Sequence, residues 1–107
     1  PLKMSYPLRT SDAIRAEGAA LTPVDFEGVD GVLLSARIES HESQSLGRTV
    51  QIAWGYLFGD RKGRFRDGEF VRTSYFTQEP QGDVYKTLNS TYRIRLCSET
   101  ANEPTPV

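Results

Sequence analysis

Residues 50–58 constrain the fold more than any other stretch of the chain. Val50, Ile52, Trp54, Tyr56 and Phe58 recur at period two, with Gln51, Ala53, Gly55 and Leu57 between them. Side chains alternate between the two faces of a strand, so this pattern predicts a strand with one strongly apolar face. Burying each large side chain is worth about 1.5–3 kcal/mol before entropy is counted. Small Ala53 and Gly55 on the reverse face leave room for close approach by another strand or a ligand.

The same period appears at Val32–Glu39, where Val32, Leu34, Ala36 and Ile38 oppose Leu33, Ser35, Arg37 and Glu39. A helix would scatter these apolar residues around its axis, so a strand is expected here too. Ser40–Arg48 is polar and reads as a loop. Glu69–Phe76 is rich in β-formers and gives a third strand. Val84–Thr87 and Thr91–Cys97 read as a hairpin across Leu88-Asn89-Ser90. Between the second and third strands, Gly59–Gly68 forms a basic, glycine-punctuated loop ending in the turn dipeptide Asp67-Gly68.

Upstream, Ser11–Gly18 supplies one or two helical turns, capped by Thr10 or Ser11 and stopped by Gly18. Leu21–Gly31 carries Pro23, Gly28 and Asp30-Gly31 and reads as a connector. Residues 1–10 and 98–107 are expected to be loose, with the core in 31–97. The 107 residues suit one domain. The fold class is therefore mainly β: a small five-stranded antiparallel barrel or curved sheet with at most one short N-terminal helix. A two-layer α+β arrangement is the alternative.

Net charge is −1, but it is unevenly spread. Residues 1–45 carry four basic and seven acidic groups, whereas residues 46–96 carry nine basic and five acidic ones. Such asymmetry marks a binding face unless opposite charges from the two halves meet across the fold. Cys97 is the only cysteine, which excludes an internal disulfide and fits a reducing, cytoplasmic setting. No apolar run approaches the ~20 residues of a membrane span, and residues 1–10 lack the apolar stretch of a signal peptide. Pro1 is not a native initiator, which leaves Met4 as the candidate start with residues 1–3 an added remnant.

Catalytic chemistry finds little support. His41 and Cys97 are the only His and Cys, too few for a structural zinc site and only a bare pair for nucleophilic catalysis. Asp60, Asp67 and Glu69 are close in sequence but interleaved with Arg61, Lys62, Arg64 and Arg66. These carboxylates are expected to cap turns and screen the arginines rather than hold a cation. No GxxxxGK[ST] or GxGxxG loop is present. No catalytic residue, cofactor or metal is assigned.

The remaining signal is the basic loop and its exit: Arg61, Lys62, Arg64, Phe65, Arg66 and Arg72. Arg and aromatic residues dominate protein interfaces, so a protein partner is favoured. Nucleic acid is the alternative, with cations on phosphates and aromatic faces on bases. An arginine-rich hairpin tip also serves simply to keep a sheet soluble. The oligomeric state is left open.

Gly55, Arg64-Phe65, Asp67-Gly68, Val71 and Thr73-Ser74, followed by Thr87, Asn89-Ser90, Tyr92 and Ile94, match an R-F-x-D-G-x-x-V-x-T-S run with a T-x-N-S-x-Y-x-[IVL] hairpin. In this the second half of the chain resembles a family of short proteins from phages, plasmids and integrated elements. The resemblance implies a mobile-element accessory protein and carries no catalytic residue with it. Together these readings point to a small non-catalytic interaction protein, binding a host or phage protein and modulating a defence or regulatory complex.

Overall fold

The computed structural model describes residues 6–97, with side chains from residue 12 onward. Helix α1 (Tyr6–Ala19) and a 3-10 turn (Pro23–Phe26) precede five strands: β1 (Gly31–Ser43), β2 (Arg48–Phe58), β3 (Glu69–Arg72), β4 (Val84–Lys86) and β5 (Thr91–Leu96). They form one sheet in the order β3-β2-β1-β5-β4. The mainly-β, five-stranded expectation holds, in the form of an open curved sheet. Barrel closure does not occur, and the sheet is mixed: β1–β2, β2–β3 and β4–β5 are antiparallel while β1–β5 is parallel.

The parallel pair follows from parity. Five strands that alternate in direction leave the first and last pointing the same way, so they pair in parallel once side by side. The sheet opens instead between β3 and β4. Residues 73–77 strap this seam without forming a ladder. Thr73 N donates to Ala53 O at 2.8 Å and Phe76 N to Gln51 O at 2.8 Å on one side. On the other, Thr77 N donates to Lys86 O at 2.9 Å, and Phe76 bridges Thr87. This strap is why β3 ends at Arg72 rather than reaching Phe76.

Two core clusters lie on opposite sides of the sheet. Leu33, Ala36, Ala53, Leu57, Val71, Tyr92 and Ile94 pack on one side, with Ile38, Phe76 and Tyr85 against them. Ile14 of α1 packs with Val32, Leu34, Tyr56 and Phe58 on the other. A break in strict alternation makes this possible. Ser35 has φ 53°, and the β1 register shifts between Leu34 and Arg37. The extra residue puts Leu33 and Ala36 on the same face, so the expected partition of β1 changes phase midway.

The helix is longer than one or two turns, at 14 residues. Tyr6–Thr10 belong to it, whereas residues 1–5 and 98–107, expected to be loose, lie outside the described residues. Gly18 does not stop it. A Cβ there would lie 2.2 Å from Cε2 of Phe58, so Gly18 lets α1 sit on the Phe58 ring. With Ile14 and Val29 buried, the core extends upstream of residue 31. Ser40–Ser43 and Arg48 are strand rather than loop, leaving a short β1–β2 turn in which Gly47 takes φ 67°. The room behind Gly55 is filled by Leu33 and Ala36, whose side chains would lie 2.7 and 3.1 Å from a Cβ there.

Candidate functional site

The 59–68 loop is built around Asp60. Its side chain is 1% exposed and accepts from the amides of Arg64 (2.6 Å), Phe65 (3.1 Å) and Lys62 (3.3 Å). Arg64 Nη2 adds a 3.2 Å ion pair. Gly63, at φ 68°, donates its amide to Asp60 O at 2.9 Å, closing the tight turn that glycine permits. Burial pushes the Asp60 carboxyl up, but the Arg64 side chain and the Arg64 and Lys62 amides outweigh it and hold the carboxyl below its ordinary range. The Asp60 hydrogen bond raises the Arg64 guanidinium against a smaller opposing effect of burial.

The other two acidic residues of the stretch also work locally. Asp67 Oδ1 accepts from Gly59 N at 2.8 Å, and Glu69 Oε1 from Arg66 N at 3.0 Å. Glu69 N donates to Arg66 O at 3.1 Å, with Gly68 at φ 87° in the third position of that turn, as a type II geometry requires. The expectation that these carboxylates cap turns is met.

The six sequence-predicted site residues fall into three groups. Arg61, Lys62 and Arg64 are fastened to the body of the fold. Arg61 N donates to Asp30 O at 2.7 Å and its Nη2 to Phe26 O at 3.4 Å. Lys62 Nζ donates to Asn89 O. Arg64 Nη2 also reaches Ser90 Oγ at 3.3 Å and Tyr92 Oη at 3.2 Å. Phe65 and Arg66 form the second group, at the rim. Phe65 is 37% exposed, with the Arg64 guanidinium 5.5 Å from its ring centroid. The Arg66 guanidinium has no hydrogen bond or ion pair among the described residues. Arg72 stands apart on β3, its guanidinium 5.8 Å from the Trp54 ring.

Trp54 is not fully core. It is half-buried, stacks on Phe70 at 5.8 Å and 17°, and donates from Nε1 to Glu39 Oε1 at 2.9 Å. Phe70, 46% exposed, also meets Tyr56 at 4.9 Å. Sequence reasoning missed this aromatic row. The signal was the pairing of Tyr56 with Phe70 and Trp54 with Arg72, which puts all four side chains on one face.

The charge asymmetry is partly cancelled across the fold, since Arg95 meets Asp25 at 2.6 Å. Asp25 is held below its ordinary range first by the Thr22 amide and then by Arg95. His41 and Cys97 are not brought together. Cys97 N donates to Ala36 O at 2.8 Å, while His41 lies further along β1, roughly 16 Å from Ala36 at ~3.3 Å per residue. Nε2 of His41 sits 3.5 Å from Glu39 instead. Among the described residues no helix is long and apolar enough to cross a membrane.

No protein-family model, curated protein or solved structure matches the chain. Fold and site together define a small mainly-β protein with one helix on its sheet and an acid-latched basic loop at one end.

Proposed function

We propose that this protein is a small non-catalytic interaction module that binds a partner protein through its 59–68 loop. One observation carries the reading. Asp60 fixes the loop backbone from inside while Phe65 and Arg66 project from it with free surface. A loop already held in one conformation loses less entropy on binding, and an exposed aromatic beside an arginine that has no partner among the described residues is the pairing that interface hot spots favour. The role as a mobile-element accessory factor acting on a host or phage protein in the cytoplasm rests on the motif resemblance alone.

Nucleic-acid recognition by the same loop is disfavoured. The side chains of Arg61, Lys62 and Arg64 donate to protein oxygens, so gripping phosphates would mean breaking those contacts. A pull-down from host lysate, with and without nuclease, tests the proposal. The expected result is a protein retained after nuclease and lost with Phe65→Ala or Arg66→Ala, both variants remaining folded. Material released by nuclease would transfer the assignment to nucleic acid, and binding indifferent to both substitutions would remove the loop from the interface.

A further inference from the structure

The two edges of the sheet are treated differently. On β4, Val84 exchanges hydrogen bonds with Gln81 (Val84 N to Gln81 O, 3.0 Å; Gln81 N to Val84 O, 2.9 Å), and Lys86 O accepts from Thr77. That edge is covered by residues 77–81. On β3 the register pairs Gly55 with Val71 and Leu57 with Glu69, and Thr73 N donates to Ala53 O. Antiparallel pairs alternate between hydrogen-bonded and non-hydrogen-bonded. Val71 and Thr73, with the Gly68 amide on Leu57 O at 2.7 Å, therefore bond inward to β2, and the amides and carbonyls of Phe70 and Arg72 point outward. Among the described residues nothing meets them. Both residues are exposed, and both side chains lie on the face carrying Trp54.

We infer that the β3 edge pairs antiparallel with β3 of a second copy of this chain, in the register that sets Phe70 opposite Arg72 of the other copy. The strand selects this arrangement itself. Outward-bonding residues must face each other, which leaves three registers. Pairing Arg72 with Arg72 sets like charges opposite. Pairing Phe70 with Phe70 leaves Arg72 facing Gly68, which lies in the turn. Only Phe70 with Arg72 satisfies the outward groups of both residues on both strands. It also lays each guanidinium against an aromatic ring, a favourable cross-strand pair. The arrangement is isologous, as a twofold dimer requires. An edge this short buries far less than the ~1,600 Å² of a standard interface, so association is weak and concentration-dependent. It leaves Phe65 and Arg66 for the proposed partner and does not depend on that reading.

Sedimentation equilibrium of the full chain, over about 10 μM to 1 mM, tests the inference. The mass should rise from 12.0 kDa toward twice that value. Phe70→Lys places like charges in both cross-strand pairs and should weaken association about ten-fold or more. Phe70→Lys combined with Arg72→Glu restores opposite charges in the same register and should recover it, with a new dependence on salt. Circular dichroism checks that each variant is folded. A chain that stays monomeric throughout, or one whose association ignores Phe70→Lys, overturns the inference. Failure of the double variant to recover association overturns the register.

Discussion

Replacing Asp60 with Ala tests the reading of the loop most directly. The carboxylate accepts from the Lys62, Arg64 and Phe65 amides and pairs with Arg64. Hydrogen bonds to a charged group contribute about 1.5–3 kcal/mol each, but the freed amides on an exposed loop recover much of that from water. The net loss should be about 2–4 kcal/mol, including the cost of leaving Arg64 without its counter-ion. In a domain of this size that lowers Tm by roughly 8–20 °C. Urea denaturation gives the free energy, and limited trypsin digestion reports local opening at Arg61, Lys62, Arg64 and Arg66. A variant within about 0.5 kcal/mol of the parent, cut no faster, would refute the latch. Linkage adds a second test. The folded carboxyl titrates below its ordinary 3.8, so its contribution is complete above that value and is lost as pH falls through the depressed pKa. The stability gap between the parent and Asp60→Asn should therefore be full at neutral pH and close in acid.

Two further substitutions probe the sheet. Gly55→Ala places a methyl 2.7 Å from Leu33 Cγ in the cluster that Leu33 and Ala36 share; overpacking there should cost about 1–3 kcal/mol, read by urea denaturation. Ser35→Val puts a β-branched residue at φ 53° and should cost about 1–2 kcal/mol, whereas Ser35→Gly at the same position should cost less, because glycine is at ease in that region.

Much of the fold was legible because the alternating pattern of β2 is unbroken and that of β5 holds through Tyr92 and Ile94, failing only at its end, where Leu96, expected on the same face, is exposed and Cys97 is buried. Each of their apolar faces meets a core cluster, and the turns around Asp67-Gly68 and Leu88-Asn89-Ser90 fall where their residues put them. The rest depended on contacts distant in sequence. Nothing in VLLSARIE announces that Ser35 takes a left-handed conformation, so the phase change that puts Leu33 and Ala36 on one face was invisible. The length of α1 was hidden because its stability comes from Ile14 and Gly18 seated against Phe58, not from its own weak pattern. The parallel pair was implicit in an odd number of alternating strands. Where the sheet would open depended on the 73–77 strap.

The site divides along a similar line. A sequence counts cations, but what a cation offers a partner depends on which oxygens it already holds. Arg61, Lys62 and Arg64 are alike in composition to Arg66 and Arg72, yet the first three serve the fold. One signal was present. An aspartate with a glycine three residues on, as in Asp60-Arg61-Lys62-Gly63, is an Asx-turn pattern, and it predicts a carboxylate turned inward onto its own loop. Once Asp60 points inward, the nearest guanidinium follows it, and Arg64 is drawn across to the Ser90 and Tyr92 hydroxyls. Arg66 escapes because Glu69 takes its amide, not its side chain. Arg72 escapes because the residue opposite it is an aromatic, Trp54. The surface left for recognition is thus set by the local acids: where a carboxylate is turned inward the neighbouring cations become structure, and where it is spent on backbone they remain available.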